Sequence, residues 1–115
     1  MGHVTEWLVC LLYQVVGYRV VYRNWTIRGG ELDLVLSKGR QMVVVEVRAR
    51  AWNSMVAPIE SISHRKFRVL RRTIRHCRHR RRQCETDWRL DVATVRWWWL
   101  WPYVSIERHI EFEVG

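Results

Sequence analysis

Three acidic residues and one arginine have a spacing that could support chemistry on a charged substrate. Glu31 and Asp33 are separated by a single residue, and Glu46 and Arg48 are separated in the same way. Because side chains alternate between the two faces of a β-strand, each pair would share one face of its strand. Carboxylates held close together repel each other unless a cation bridges them, and their oxygens suit Mg²⁺ or Mn²⁺. The spacing is therefore compatible with a divalent-metal site.

The pairing register of the two strands decides whether the two pairs meet. A hairpin loop over residues 38–41 predicts these cross-strand pairs: Ser37 with Met42, Asp33 with Glu46, and Glu31 with Arg48. Opposed side chains of this kind lie within roughly 5 Å of each other at Cβ. From spacing alone, the alternative is a solvated hairpin face on which Glu31 and Arg48 form only a cross-strand ion pair.

Hydrophobic periodicity predicts the helices that would flank this hairpin. A first helix is expected over residues 3–16, where these apolar residues recur at helical spacing before Gly17: Val4, Leu8, Leu11, Leu12 and Val15. A second, amphipathic helix is expected from about residue 60 to residue 80 because four residues form a narrow apolar stripe: Phe67, Leu70, Ile74 and Cys77.

Strands are expected over residues 18–24, 31–36, 42–49, 88–95 and 104–112, because these runs are rich in β-formers and bounded by turn residues. The predicted order is α-β-β-β-α-β-β. This order indicates an α/β fold in which helices flank a mixed sheet. At 115 residues, the chain fits one domain over residues 1–115.

The charge balance indicates a polyanionic partner. The chain has 20 Lys and Arg against 11 Asp and Glu, a formal net charge of +9, and phosphate contacts release condensed counterions. A dense basic run on the second helix supplies the candidate phosphate-binding residues: Arg65, Lys66, Arg68, Arg72 and Arg75. Phosphates carry no base information, so the expected partner is nucleic acid, and DNA in particular, bound by structure rather than by sequence.

A membrane surface is the rival partner for a basic amphipathic helix. The apolar stripe of this helix is needed for the core, however, and the apolar run over residues 7–13 is too short to span a bilayer and lacks a basic leader. No membrane partner is expected.

The cysteines favour a reduced, cytoplasmic protein. Cys10, Cys77 and Cys84 cannot all pair within one chain, and Cys10 lies in an apolar stretch. Zinc is not expected at His76, Cys77, His79 and Cys84, because successive helical residues point in different directions and the spacing matches no familiar finger.

Four tryptophans between positions 97 and 101 have two interpretations. Trp97, Trp98, Trp99 and Trp101 could stack on unpaired bases. Adjacent aromatic residues more often cover a core or a subunit contact. A homodimer interface through this segment is the favoured interpretation.

The acidic motifs resemble the signature of the YraN-type uncharacterised family. The likeness lies in Gly30-Glu31-Leu32-Asp33-Leu34 and Val45-Glu46-Val47-Arg48-Ala49-Arg50, with further matches at Gly2, Glu6, Gly17-Tyr18-Arg19, Arg23-Asn24-Trp25, Lys66 and Arg89-Leu90-Asp91-Val92. That family is similar to archaeal Holliday-junction resolvases and to the wider PD-(D/E)xK nuclease superfamily. The resemblance implies a restriction-endonuclease-like core and phosphodiester hydrolysis, dependent on Mg²⁺ or Mn²⁺, in branched or damaged DNA.

The resemblance also implies a role for each site residue. It makes Asp33, Glu46 and Glu6 metal ligands, Glu31 an auxiliary acid, and Arg48 the counterpart of the motif's lysine. A guanidinium stabilises phosphate charge but cannot serve as a base, so Arg48 is expected to clamp phosphate and Lys66 is a candidate substitute cation. The alternative is a catalytically inactive nucleic-acid-binding accessory protein of the same fold.

Overall fold

The computed structural model describes residues 2–55, 57–81 and 87–110, which form two α-helices and a five-stranded sheet. Helix α1 (Gly2–Val15) is followed by strands β1 (Arg19–Ile27), β2 (Gly30–Lys38) and β3 (Gln41–Arg50). A short 3₁₀ helix (Ile59–Ser61) and helix α2 (His64–Arg81) lead to strands β4 (Asp87–Trp98) and β5 (Trp101–Ile110). The predicted α/β order is confirmed. The end of the last predicted strand, residues 111 and 112, lies outside the described residues.

The strands lie in sequence order across the sheet, and only the pair β3 and β4 is parallel. Antiparallel neighbours can be joined by tight turns, whereas parallel neighbours need a crossover connection. Helix α2 is that connection. It therefore packs on one face of the sheet, next to the ends of the strands that carry the acidic residues.

The two helices cover opposite faces of the sheet. Val44 belongs to the hydrophobic cluster that contains α2, and its neighbours Val43 and Val45 belong to the cluster that contains α1. All three valines are fully buried. This alternation explains why β3 is a nearly continuous apolar run, as expected of a strand covered on both sides.

Helix α1 buries a different face from the one that its apolar spacing predicts. Four residues of the predicted stripe are exposed: Val4, Leu11, Leu12 and Val15. The buried residues are instead Thr5, Val9, Cys10 and Tyr13. Apolar residues occur around most of this helix, so spacing alone does not select the inward face.

Neither described α-helix has an apolar stretch that would span a membrane.

A buried polar network selects the inward face of α1. The Tyr13 hydroxyl donates a hydrogen bond to Asp91 Oδ2 at 2.6 Å, and the Arg89 guanidinium donates to both Asp91 oxygens at 2.9 and 3.0 Å. The same guanidinium donates to the Tyr18 hydroxyl at 2.9 Å. A fully buried carboxylate is tolerated only when it is paired and hydrogen-bonded, and here α1 provides part of that pairing.

Helix α2 begins later than the sequence predicts. Ser63 ends the preceding turn and its Oγ accepts the Lys66 N–H at 3.1 Å, which is the geometry of an N-cap. Residues 60 and 61 belong to the 3₁₀ helix instead. The predicted apolar stripe is confirmed: Leu70, Ile74 and Cys77 are buried, and Phe67 packs against the same cluster.

Strands β4 and β5 each extend three residues further towards their shared turn than the sequence predicts. Trp98 pairs with Trp101 and Trp97 pairs with Pro102, so only Trp99 and Leu100 form the turn. The backbone of Trp99 has a φ of 57°, which is the left-handed conformation that a two-residue hairpin turn requires. The tryptophan-rich segment is therefore the end of a long hairpin and not a separate connection.

We expect Gly30→Ala to lower the free energy of unfolding by roughly 1–3 kcal/mol, the usual result of overpacking a tight contact. A Cβ at Gly30 would collide with the Thr73 hydroxyl on α2, which itself donates to the Val69 carbonyl at 2.7 Å. Urea unfolding measures the change. In a Thr73→Ala background the same substitution should be milder, and an equal loss in both backgrounds would contradict the proposed contact.

Candidate metal and phosphate site

The acidic site lies where strand β2 separates from strand β3. The pairing of the two strands runs from Lys38 and Gln41 to Leu34 and Val45, in the predicted register, and ends there. The next predicted pair, Asp33 with Glu46, is not part of the ladder. Asp33 Oδ2 instead accepts the backbone N–H of Val47 at 2.9 Å. A side-chain carboxylate thus replaces the backbone acceptor that β2 no longer provides.

The side-chain alternation of β2 changes phase at the same position. Leu34 and Leu36 join the cluster under α1, whereas Val35 joins the cluster under α2. Leu32 also joins the α2 cluster, although regular alternation would give it the same side as Leu34. The strand therefore turns about Asp33, and the segment before Asp33 keeps β1 as its partner.

Glu46 is a nearly buried carboxylate within reach of two cations. The residue is only 3% exposed. Its Oε1 lies 3.8 Å from Lys66 Nζ and 3.9 Å from an Arg48 guanidinium nitrogen. Its Oε2 accepts no hydrogen bond from the described residues. Burial and the nearby Asp33 carboxylate raise the pKa of Glu46 to about 8, against the lowering effects of Lys66 and Arg48.

Asn24 links the two remaining acids of the site. With its amide nitrogen facing the carboxylates, Asn24 donates to Glu6 Oε2 at 3.1 Å and to Glu31 Oε1 at 3.2 Å. Its backbone has a φ of 53°, a left-handed conformation in which asparagine is enriched. Burial, followed by Asp33 and Glu31, raises the pKa of Glu6. Sequence reasoning assigned no role to Asn24, although the residue lies in one of the motif matches.

The expected partnership between Glu31 and Arg48 is not formed. Glu31 lies opposite Thr26 of β1, so the end of the β2–β3 ladder separates it from Arg48. Among the described residues, the ion-pair partner of Arg48 is Glu46. The Ser61 carbonyl accepts a hydrogen bond from Arg48 at 3.5 Å, and a shorter one from Arg50 at 2.7 Å. These contacts keep the Arg48 guanidinium beside Glu46.

The candidate phosphate-binding residues of α2 differ in their exposure and in their contacts. Arg65 and Arg68 are exposed on the outer face of the helix. Lys66 and Arg75 are half-buried, and the exposed Arg72 donates to the Gly29 carbonyl at 3.0 Å, which ties α2 to the β1–β2 turn. The structure thus gives Lys66 to the acidic site and leaves Arg65 and Arg68 on the surface.

The zinc-like residues of the sequence do not converge in the described part of the chain. Cys77 is fully buried in the core, while His76 and His79 are exposed on the outer side of the same helix. Cys84 lies outside the described residues. Cys10 and Cys77 are free thiols.

The residues at this site fit a hard divalent cation. Within residues 2–55, 57–81 and 87–110, no group of three or more His, Cys, Asp or Glu side chains could hold a metal by itself. Mg²⁺ is commonly held by one or two carboxylates together with waters and substrate phosphates. Asp33 and Glu46 are such a pair, and Glu46 Oε2 is a buried oxygen that accepts no hydrogen bond from the described residues.

Comparison with known proteins places this architecture in a family. The model of the "Uncharacterised protein family UPF0102" matches residues 5–95. The chain belongs to the UPF0102 family. The family assignment confirms the YraN-type resemblance. The span that UPF0102 matches includes every acidic residue of the site and ends in β4, before the tryptophan-rich hairpin turn.

Individual UPF0102 proteins are similar over most of the chain. A relative in Parasynechococcus marenigrum is 41% identical over 97 residues, 82% of this chain and 68% of the relative. One in Parvibaculum lavamentivorans is 38% identical over 101 residues, 84% and 74% of the two chains. One in Alkaliphilus metalliredigens is 30% identical over 95 residues, 83% of each.

Without metal, we expect the free energy of unfolding to fall as the pH rises from about 4.5 to about 8, a range that follows from the raised pKa of Glu46. Between these values the folded protein keeps a proton on Glu46 that the unfolded chain has lost, so raising the pH favours the unfolded chain. Urea unfolding in EDTA at several pH values measures this slope.

Glu46→Gln should flatten the slope and raise stability at pH 8, because a neutral amide replaces the carboxyl group. Glu60→Gln is the control, since it removes the same charge from an exposed position. Parallel pH profiles of wild-type protein and Glu46→Gln would contradict the raised pKa of this carboxyl group.

Proposed function

We propose that this UPF0102 protein is a divalent-metal-dependent endonuclease that hydrolyses phosphodiester bonds in branched or damaged DNA. The observation that carries the proposal is the buried Glu46 carboxylate, which lies beside Asp33 and within 4 Å of both Lys66 and Arg48. Two acids and two cations at a break in a strand ladder suit a substrate that brings both a metal and a phosphate.

Asp33 and Glu46 would hold Mg²⁺ or Mn²⁺. A bound cation of this kind polarises a phosphate and lowers the pKa of an attacking water. Asp33 is oriented by the Val47 N–H, which fixes one of its oxygens. Glu46 is oriented by burial and by the two cations on its Oε1 side.

Arg48 and Lys66 would together perform the functions of the lysine in the nuclease motif. The Arg48 guanidinium stays charged, so its role is to stabilise negative charge on the phosphate as the bond to the attacking oxygen forms. Lys66 reaches the same carboxylate from α2, and an amine, unlike a guanidinium, can exchange a proton in a protein site. Glu31 and Glu6, held by Asn24, would add negative potential beside a bound cation.

The exposed basic face of α2 supports DNA as the substrate. Arg65 and Arg68 lie on the same helix as Lys66, so a backbone that contacts them passes close to the acidic site. Contacts to phosphates are independent of sequence, and selection then depends on the shape of the DNA.

A nucleic-acid-binding accessory protein without catalysis is the second candidate. The observation that favours it is Arg48, which occupies the position of the nuclease lysine and cannot act as a base. Binding without hydrolysis would use the same basic face of α2 and would not need Glu46.

We expect Asp33→Asn and Glu46→Gln each to lower the rate of DNA cleavage by a factor on the order of 10² or more, the size of effect seen when one charge-stabilising group is lost. The substrates are a four-way junction, a flap and a single strand, incubated with Mg²⁺ or Mn²⁺. Asparagine keeps an acceptor for the Val47 N–H, so the fold should persist.

Glu60→Gln should cleave like wild type. DNA binding measured in EDTA should change less than about twofold in any of these variants, because phosphate contacts carry the affinity. Binding by wild-type protein without any cleavage would assign the accessory role, and equal cleavage by all variants would overturn the acidic site.

We expect Arg65→Ala and Arg68→Ala each to reduce the slope of log affinity against log salt concentration by about 1, as for a lost phosphate contact. Fluorescence anisotropy with a labelled junction measures the slope. Arg40→Ala, an exposed substitution on the β2–β3 turn, is the matched control and should leave the slope unchanged. A slope unaffected by the α2 variants would remove this helix from the interface.

A further inference from the structure

Three aromatic rings from separate segments form an exposed cluster at the end of the β4–β5 hairpin. The Trp52 ring lies 5.2 Å from the Trp98 ring and 4.6 Å from the Tyr103 ring, measured between centroids. The exposed fractions of the three residues are 38%, 57% and 43%. We call Trp52, Trp98 and Tyr103 the aromatic platform. Its rings are packed against one another and present their outer surfaces to solvent.

The platform lies on the same face of the sheet as the acidic site. Glu46, Arg48 and Arg50 alternate onto one face of β3, and the register places Arg50 opposite Arg96 and Arg96 opposite Tyr103. Trp98 follows Arg96 by two residues and therefore shares that face. A cleft of about 230 Å³, whose lining includes Thr94, Arg96 and Met55, opens between these strands and the loop after β3.

Guanidinium groups occupy the space between the platform and the acidic site. Arg96 donates to the Ser54 carbonyl at 3.0 Å, and Arg50 donates to the Ser61 carbonyl at 2.7 Å. Both side chains are half-buried, so the backbone of the loop fixes them while part of each remains at the surface. The order along the face is acid pair, Arg48, Arg50 with Arg96, and then the platform.

We propose that the aromatic platform stacks the unpaired bases of a single-stranded DNA arm whose backbone passes along Arg96, Arg50 and Arg48. The proposal rests on the proposed function, because it assumes that the acidic site receives a phosphate of the same strand. Aromatic side chains stack on any base, and arginines beside them neutralise the phosphates between bases. The guanidiniums lie between the acidic site and the rings, so a strand whose phosphates follow the arginines would bring its bases to the platform at one end of the face.

A second copy of the chain is the competing occupant, and electrostatics disfavours it. A two-fold contact would bury the same surface of both copies in one interface, so the Arg50 and Arg96 guanidiniums of both copies would lie there together. The chain as a whole carries a formal charge of +9. A nucleic acid meets the same guanidiniums with negative charge.

The spacing of the two sites sets the length of the arm. Val92 lies opposite Glu46, and Trp98 follows it by six residues, a distance of about 20 Å along an extended strand. A stacked strand covers that distance in about six nucleotides, at roughly 3.4 Å each. Two of the three platform residues, Trp98 and Tyr103, lie beyond residue 95, where the match to the family model ends.

Binding in EDTA tests the platform separately from catalysis. The probes are labelled duplexes with a single-stranded arm of either polarity, longer than about six nucleotides, and a blunt duplex of the same sequence. We expect Trp98→Ala and Trp52→Ala to weaken binding to one armed duplex by roughly 5- to 100-fold, as for the loss of one stacked base. Binding to the blunt duplex should change less than about twofold, because it depends on phosphate contacts.

Two further variants complete the test. Trp98→Phe should recover most of the lost affinity, since a phenyl ring still stacks. Trp7→Ala is the matched control, because Trp7 is 56% exposed but lies on α1, across the sheet from the platform. Circular dichroism of each variant confirms that it is folded before affinities are compared.

Each outcome has a distinct meaning. Selective loss of armed-duplex binding supports the platform even if no DNA is cleaved, in which case only the proposed hydrolysis fails. Normal armed-duplex binding by both alanine variants overturns the platform even if cleavage is observed. A dimer in sedimentation that Trp98→Ala dissociates, with DNA binding unchanged, assigns the face to a second copy. Absence of binding to any nucleic acid overturns both proposals.

Discussion

The hydrogen bond from the Val47 N–H to Asp33 is the interaction on which the site depends. It joins β2 and β3 at the position where their backbone ladder has ended, so the strands can diverge without leaving a backbone donor unpaired. The side chain that closes the gap is itself one of the two acids, and Glu46 lies beside it. Geometry and chemistry are therefore coupled through one carboxylate.

The remaining parts of the fold bring charged groups to that gap from both sides of the sheet. Helix α1 is held by the Tyr13 hydroxyl on Asp91, and it carries Glu6 towards Asn24 and Glu31. Helix α2 is held by its apolar stripe and by the close approach of Gly30 to Thr73, and it carries Lys66 to Glu46. The negative Glu6 thus reaches the site from the α1 face of the sheet, and the positive Lys66 reaches it from the α2 face.

The sequence predicts the architecture well because each element has a strong local pattern. The run Val43-Val44-Val45 and the stripe of α2 each indicate burial without reference to the rest of the chain. The buried face of α1 could not be predicted, because Tyr13 is placed by a distant partner, Asp91, rather than by its neighbours. The end of the β2–β3 ladder could not be predicted either, because the spacing of Glu31 and Asp33 is that of two residues on one face of a regular strand. The change in side-chain alternation at Asp33, which separates Glu31 from Arg48, is visible only in the structure.

The charged side chains of α2 are all basic, and this affects the stability of the folded chain. Its Arg side chains repel one another, and this repulsion is present whether or not a partner is bound. Dissolved salt weakens the repulsion and so favours the folded state, while the same salt weakens attachment to a polyanion. A polyanion that bound the folded helix would in turn stabilise the fold, because its binding free energy would add to that state alone. Ionic strength would therefore act in opposite directions on the stability of the free protein and on its binding to a polyanion.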